Sequence, residues 1–227
     1  MKKILLLTFL FCCLHTYSQA TKIIYSVKLH NTKNSSKKMI LDCIKIAETM
    51  NFSLIFNEKN SYSERLNISS LETLETKTTS VLVGYYSSWY QDVDLNSSYI
   101  RSIKFIPYEI DYKKKMLGWK KTNETKEIIG YTCYKAIRKE FNKRSGKDIY
   151  YTAWYTKDIP QPFGPAGSGG LEGVILELHK GKVSSHFAKY IEFNTNTNSI
   201  SKTPVGIKKI SPEESVYLSK KARGEID

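Results

Sequence analysis

The sequence predicts a strand-rich α+β fold, in which a curved antiparallel sheet carries one N-terminal amphipathic helix and a short C-terminal helix. β-branched and aromatic residues crowd into short runs that polar or glycine-containing segments separate. Two segments have the apolar spacing or the capping residues of a helix. Two helices cannot cover so many strands, so we expect the sheet to curl onto itself or leave a concave face.

Residues 1–20 have the arrangement of a secretory signal peptide. Two lysines precede an apolar run over residues 4–14, and small or polar residues suitable for cleavage follow. The run is too short to span a bilayer core of ~30 Å. We therefore expect an exported protein of the periplasm, cell envelope or extracellular space. A lipid anchor at Cys12 or Cys13 is the alternative, but bulky residues precede both cysteines.

Alternating apolar residues over 23–29 predict the first strand, and helical spacing over 39–50 predicts the amphipathic helix, starting after Ser35 and Ser36. Further extended patterns follow it, at residues 52–56, 80–86, 103–112, 128–138 and 149–155. The best hairpin pattern joins residues 174–178 to 187–193 through a turn at 179–182.

Residues 195–210 are polar and contain Pro204 and Gly206, so we expect them to run over the surface. Ser211 and Glu214 form a capping box that starts a short terminal helix, which should end near Gly224. Residues 21–195 are thus predicted to be one β-rich domain, and residues 196–227 a surface extension with the C-terminal helix.

The chain is basic, with 35 Lys and Arg against 22 Asp and Glu and a formal net charge of +13. An exported protein meets little nucleic acid, so we predict no nucleic-acid partner; anionic lipid, lipopolysaccharide or an acidic partner would be the relevant targets. The lysines are widely spread, apart from clusters at 113–115 and 120–121. We interpret the charge as solvated surface rather than a binding patch.

Cys43 and Cys133 remain after removal of the signal peptide. In an oxidising compartment they could form a disulfide. Two buried, unpaired thiols are the alternative that we favour, because a sequence cannot supply the geometry that a disulfide requires.

Residues 151–178 hold the densest cluster of proline and glycine, with three of the six prolines and five of the twelve glycines. Proline fixes φ and glycine permits positive φ, so this stretch should be a stiff, shaped connection between two strands. Aromatic residues lead into it. We predict a recognition edge here, with these candidate binding residues: Trp154, Tyr155, Pro160, Pro162, Phe163, Gly164, Pro165, Gly169, Gly170, Leu171, Glu172 and Gly173.

Four segments resemble the GLPGLI family, at residues 125–136, 153–160, 163–165 and 170–178. Glu172 stands where the family's naming motif has proline, and Val174 where it has leucine. The resemblance implies a secreted or periplasmic bacterial protein without an established activity. It also implies a layout similar to the half-barrel-like curved sheet with helices of periplasmic lipoprotein carriers.

The sequence contains no strong catalytic, metal or cofactor motif. Ser168 lies in a degenerate nucleophile elbow, but a strand pattern follows it where an elbow needs a helix. His179 and His186 flank the predicted hairpin turn and could bind a metal with Glu177, although such histidines are usually solvated. No phosphate-binding or other cofactor motif is present in the sequence.

Three functions remain open at this point. The leading hypothesis is a non-catalytic binding module for a hydrophobic ligand, a peptide or an outer-membrane partner. The alternative is a secreted hydrolase or metal-dependent enzyme, centred on Ser168 or on His179 and His186. A third hypothesis is adhesion to an anionic envelope surface through the basic charge.

Overall fold

The computed structural model of the protein describes residues 20–30, 38–68, 72–102, 108–142, 146–195, 200, 208–222 and 224–225. Several predictions from the sequence fall outside the described residues. They are the signal peptide up to residue 19, the helix start at Ser35 and Ser36, the first part of the 103–112 strand, and nearly all of 196–207.

The described residues form twelve strands and three α-helices. The strands are β1 (Ala20–Leu29), β2 (Asn51–Phe56), β3 (Asn60–Arg65), β4 (Trp89–Asp92), β5 (Ser97–Ser102), β6 (Tyr108–Asp111), β7 (Lys120–Ile128), β8 (Tyr131–Asn142), β9 (Lys147–Thr156), β10 (Val174–Lys180), β11 (Ser184–Thr195) and β12 (Lys208–Ile210). The helices are α1 (Lys38–Thr49), α2 (Leu74–Val83) and α3 (Pro212–Ala222). Short 3-10 turns occupy Lys113–Met116 and Pro165–Gly167.

All twelve strands belong to one sheet with the order β12-β6-β5-β4-β3-β2-β1-β11-β10-β9-β8-β7. From the central β1 the chain runs outward through β2 to β6, crosses to the opposite edge at β7, and returns through β11, which pairs with β1. The β12–β6 pair is parallel and the other pairs are antiparallel. The predicted strand-rich class with a large antiparallel sheet and a few helices is confirmed.

The predicted strand over residues 80–86 is wrong, because most of that run belongs to α2. Thr73 caps the helix, since its side chain accepts a hydrogen bond from the Thr76 amide at 3.2 Å. Gly84 ends the helix with a left-handed φ of 84°. The two caps and the burial of Val83 outweigh the strand preference of the β-branched residues.

The predicted hairpin is confirmed as β10 and β11, in which Leu178 lies opposite His186. The Ser211 side chain accepts a hydrogen bond from the Glu214 amide at 3.0 Å, as the predicted start of the terminal helix requires. Within the segment predicted to run over the surface, Lys208–Ile210 instead form β12, and Ile210 is buried.

We call the side of the sheet that carries Tyr25, Val27, Phe52 and Trp89 the inner face, and the opposite side the outer face. The main hydrophobic core joins these side chains to Cys43 and Ala47 of α1 and Val83 of α2. The helices therefore cover part of the inner face, and the long connection between β9 and β10 covers a further part.

This Pro/Gly connection, residues 157–173, contacts both halves of the sheet. The Ala166 amide donates to Tyr85 Oη at 2.9 Å, and Gln91 Nε2 of β4 donates to the Ser168 carbonyl at 3.0 Å. On the other side, the Ile175 amide of β10 donates to the Phe163 carbonyl at 2.9 Å. The connection thus lies between the β2–β6 half and the β7–β11 half.

Candidate functional site

Most of the sequence-predicted binding residues lie inside the protein. Tyr155, Phe163 and Leu171 are buried in the core. The backbone around them is buried as well, at Gly164, Pro165, Gly169 and Gly173. Trp154 and Pro162 are half-buried, and the exposed members are Pro160, Gly170 and Glu172.

Close backbone approach explains the glycines of the Pro/Gly connection. A Cβ on Gly170 would lie 1.8 Å from the Met116 carbonyl oxygen, and one on Gly173 would lie 1.9 Å from the Thr156 oxygen. Such distances exclude any side chain, so these glycines allow the connection to pack as an internal plug. The expectation of a recognition edge does not fit its buried positions, because the protein's own backbone already occupies the space beside them.

The proposed hydrolase and metal centres are not assembled. Ser168 is fully buried between two halves of the sheet and is followed by strand β10, not by a helix. His179 and His186 lie on opposite faces, because His179 pairs with Ser185 and the next residue pair is Leu178 with His186. Burial lowers the pKa of His186 to about 3, against a smaller raising effect of the Val83 backbone.

The two cysteines are both free and buried, so the possible disulfide between Cys43 and Cys133 is not formed. Cys43 Sγ contacts the Glu75 carbonyl and Cys133 Sγ the Tyr131 carbonyl, each at 3.6 Å. Burial raises the pKa of the Cys133 thiol to about 12, which excludes a nucleophilic thiolate at neutral pH.

The outer face carries a chain of polar side chains, of which the sequence analysis named only Glu177 and His179. Ser185 Oγ lies 2.7 Å from both His30 Nε2 and His179 Nδ1. His179 Nε2 lies 2.5 Å from Glu177 Oε1, and Lys126 Nζ donates to the same oxygen at 2.7 Å. Because 155 residues separate His30 from Ser185, only the β1–β11 pairing brings them together.

These polar side chains of the outer face can support only limited chemistry. Burial alone would raise the pKa of Glu177, but hydrogen bonds from His179 and Lys126 outweigh it and the net shift is downward. A Ser-His-acid group needs a serine hydroxyl that substrate can reach. Ser185 is fully buried and both imidazoles hold its oxygen, so the arrangement organises charge on this face without presenting a nucleophile.

Trp154 lies beside these polar side chains on the outer face. Lys126 Nζ is 4.4 Å and Lys135 Nζ 5.8 Å from the centre of its ring. Glu172, exposed, makes ion pairs with Lys121 of β7 and with Lys157, and these two lysines lower the pKa of Glu172. An aromatic side chain on β9, two strands in from edge strand β7, therefore lies among Lys and Glu side chains from β7 and β8.

The inner face carries a second polar group at one end of β8 to β11. Arg138, Tyr151, Lys180 and Ser184 form one cross-strand row. The Arg138 guanidinium lies 4.4 Å from the Tyr151 ring, and its Nη1 donates to the Lys114 carbonyl at 2.6 Å. Arg138 is only 3% exposed and Ser184 fully buried.

Within the described part of the chain, His, Cys, Asp and Glu side chains nowhere come together in threes that could bind a metal ion. The described helices are also too short or too polar to cross a lipid bilayer.

A family model described as "Protein of unknown function (Porph_ging)" matches residues 138–177, which include β9 and the Pro/Gly connection. No curated protein matches the chain. Two solved structures, titled "Structure of PNGF-II in C2 space group" and "Structure of PNGF-II in P21 space group", are similar, with TM-scores of 0.57 and 0.56 and sequence identities of 15% and 16%. Each match covers 90% of this chain but only 33% and 34% of the other chain. The chain thus spans about a third of those proteins, and the likeness is one of fold.

Proposed function

We propose that the protein is a non-catalytic binding module, exported to the periplasm or cell envelope, that docks an extended peptide or an envelope protein on its outer face. The observation that carries this proposal is the position of Trp154, half-buried on β9 between Lys135 of the neighbouring strand β8 and Lys126, which reaches over its ring from edge strand β7. Tryptophan with a surrounding rim of charges is typical of protein interfaces.

Strand β7 supports a peptide-like partner. It ends the sheet order among the described strands, and most of its nine residues are exposed. An extended peptide can add to such an edge through main-chain hydrogen bonds, while side-chain contacts give specificity. The Lys and Glu residues along β7 also limit pairing between copies of the protein, because charged side chains on an edge strand disfavour the addition of another strand.

A curved, half-barrel-like sheet is part of this proposal. It is supported by the contacts of the Pro/Gly connection with both β4 and β10, which bring the two halves of the sheet within reach of one segment. Because that segment and the helices occupy the inner face, a peptide or protein partner is favoured over a hydrophobic ligand in a concave pocket. The GLPGLI resemblance agrees with an envelope location.

Crosslinking in the envelope of the source cell tests the proposal. A photoreactive amino acid in place of Asn123 on β7 should capture one specific partner. Trp154→Ala should reduce the yield about tenfold, as expected for an aromatic anchor. Tyr190→Ala is the matched control, because Tyr190 is an exposed aromatic residue on β11, and it should leave the yield unchanged. Equal yields from both variants would contradict the proposal.

A hydrolase is the second candidate, because Glu177, His179 and Ser185 are linked by successive hydrogen bonds; it requires a movement that exposes Ser185, which is buried in this structure. If it is correct, the purified protein should hydrolyse simple nitrophenyl esters or glycosides, and Ser185→Ala should abolish the reaction. Activity that survives in both Ser185→Ala and Glu177→Gln would exclude this group as its centre.

A further inference from the structure

The cross-strand row of side chains on the inner face, at one end of β8 to β11, concentrates positive charge where little water can reach. Arg138 and Lys180 belong to the row, and Lys115 reaches the same region from the turn after β6, where its Nζ donates to the Ala166 carbonyl at 2.9 Å. Among the described residues, the carboxylate paired with Arg138 is Glu140, at 3.4 Å from Nη2 and itself 43% exposed.

Two polar groups of the row lack hydrogen bonds. Nε of Arg138 and Oγ of Ser184 have no hydrogen-bond partner among the described residues, and Nη2 of Arg138 has only its ion pair with Glu140, although all three atoms are buried. Leaving a buried donor unsatisfied is costly, and more so for a charged group. Unsatisfied buried donors beside several cations therefore indicate that a group with acceptor oxygens and negative charge is missing.

The pKa shifts of the neighbouring lysines also indicate a missing negative charge. Burial, with additional repulsion from Arg138 and Lys180, lowers the pKa of Lys115 to about 7. Burial also lowers the pKa of Lys180, against a smaller effect of Glu140. Each cation destabilises the others in this region, and a bound anion would reverse that effect.

We propose that Arg138, Lys180 and Ser184 form a binding site for a tetrahedral oxyanion, a phosphate or sulfate group. The guanidinium offers a fork of donors that matches such oxygens, the ammonium adds a second charge, and the serine hydroxyl donates one further hydrogen bond. The partly exposed Lys180 provides the route from solvent. This site lies on the inner face and is independent of the partner proposed for the outer face.

The test is titration calorimetry of the full mature protein with inorganic phosphate and inorganic sulfate, at fixed pH and constant ionic strength set with chloride. Lys180→Gln should weaken phosphate binding by about 10-fold or more, as expected for loss of a charged hydrogen bond. Lys139→Gln removes the same charge from an exposed side chain that pairs with Asp148, and it should leave the affinity unchanged.

Ser184→Ala provides a second measurement that does not depend on charge. Because Ser184 Oγ has no partner among the described residues, its removal should not lower the unfolding midpoint, yet it should weaken phosphate binding several-fold. A parallel arm uses vesicles with and without phosphatidic acid, which separates a lipid headgroup from the free ion. Binding to either source with the same variant pattern supports the site. No binding in either arm, or equal weakening by Lys180→Gln and Lys139→Gln, would overturn it.

Discussion

Glycine positions in the Pro/Gly connection are determined by space as well as by backbone conformation. Gly170 and Gly130 both have a left-handed φ, of +80° and +83°, but only Gly170 lies against other backbone atoms. Nothing lies within 4 Å of a Cβ added to Gly130. The pair therefore separates the cost of left-handed φ from the cost of a steric clash.

Replacing Gly130 by Ala should lower the free energy of unfolding by about 1 kcal/mol, the usual cost of left-handed φ for an L-residue. Gly170→Ala should cost at least about 3 kcal/mol, because its Cβ would also clash with the Met116 backbone. Urea denaturation of both variants measures the difference. Similar losses in the two variants would show that the connection is not packed against Met116.

His186 makes stability depend on pH. Its folded-state pKa, lowered by burial to about 3, is below the ordinary value of 6.5. The unfolded chain therefore binds more protons between these values, so the stabilising effect is complete above pH 6.5 and is lost as the pH falls towards 3.

The loss should reach about 1.4 kcal/mol per pH unit in the middle of that range. His186→Phe keeps a ring beside Phe52 and Tyr85 and should remove this contribution. Urea unfolding of both proteins at a series of pH values gives the two slopes. If the slopes are equal, His186 is protonated as readily in the folded state as in the unfolded one.

Among the strands and helices, the Pro/Gly connection behaves as part of the core rather than as a loop. Its Phe163 is fully buried and packs on Phe56 of β2, with 5.8 Å between ring centres. Phe141 of β8 is 61% exposed and serves as the matched control.

Phe163→Ala should destabilise the protein by about 3–5 kcal/mol, through lost burial and a new cavity. Phe141→Ala should change the free energy of unfolding by less than about 0.5 kcal/mol, as is usual for an exposed site. Urea titrations compare the two. A small effect of Phe163→Ala would mean that the connection detaches without disturbing the sheet.

Residue patterns in the sequence predicted β1, β9 and the β10–β11 hairpin; burial largely alternates along β1 and β9, whereas five consecutive residues of β10 are buried. The polar strand β3 has no such signal, and the β-branched residues of α2 imitate a strand. The sequence placed Glu177 beside His179, but it did not predict the rest of either polar group. His30 and Ser185 meet only through β1–β11 pairing, and Arg138 and Lys180 only through β9.

For the sheet as a unit, the C-terminal segment protects one edge. β12 pairs in parallel with β6, and Ile210 lies opposite Ile110, with both side chains buried. Without β12, the main-chain groups of β6 would form an unpaired edge, which promotes association between chains.

A chain ending after Thr195 should therefore be less stable and should associate with increasing concentration, as measured by sedimentation velocity. A chain ending after Ala222 keeps β12 and α3 and should sediment like the full-length protein. Concentration-independent sedimentation of the shorter chain would show that β6 does not need this cover.

Because β1 pairs with β11, the midline of the sheet joins segments as far apart as Lys22 and Glu192, 170 positions along the chain. The two halves of the sheet cannot be joined at the β1–β11 pair until β11 has been synthesised. Contacts of such long sequence separation slow folding, to milliseconds or longer in small β-rich proteins. Apolar strands would meanwhile be exposed to aggregation, so holding the newly made polypeptide unfolded, as a chaperone does, should increase the yield of native protein.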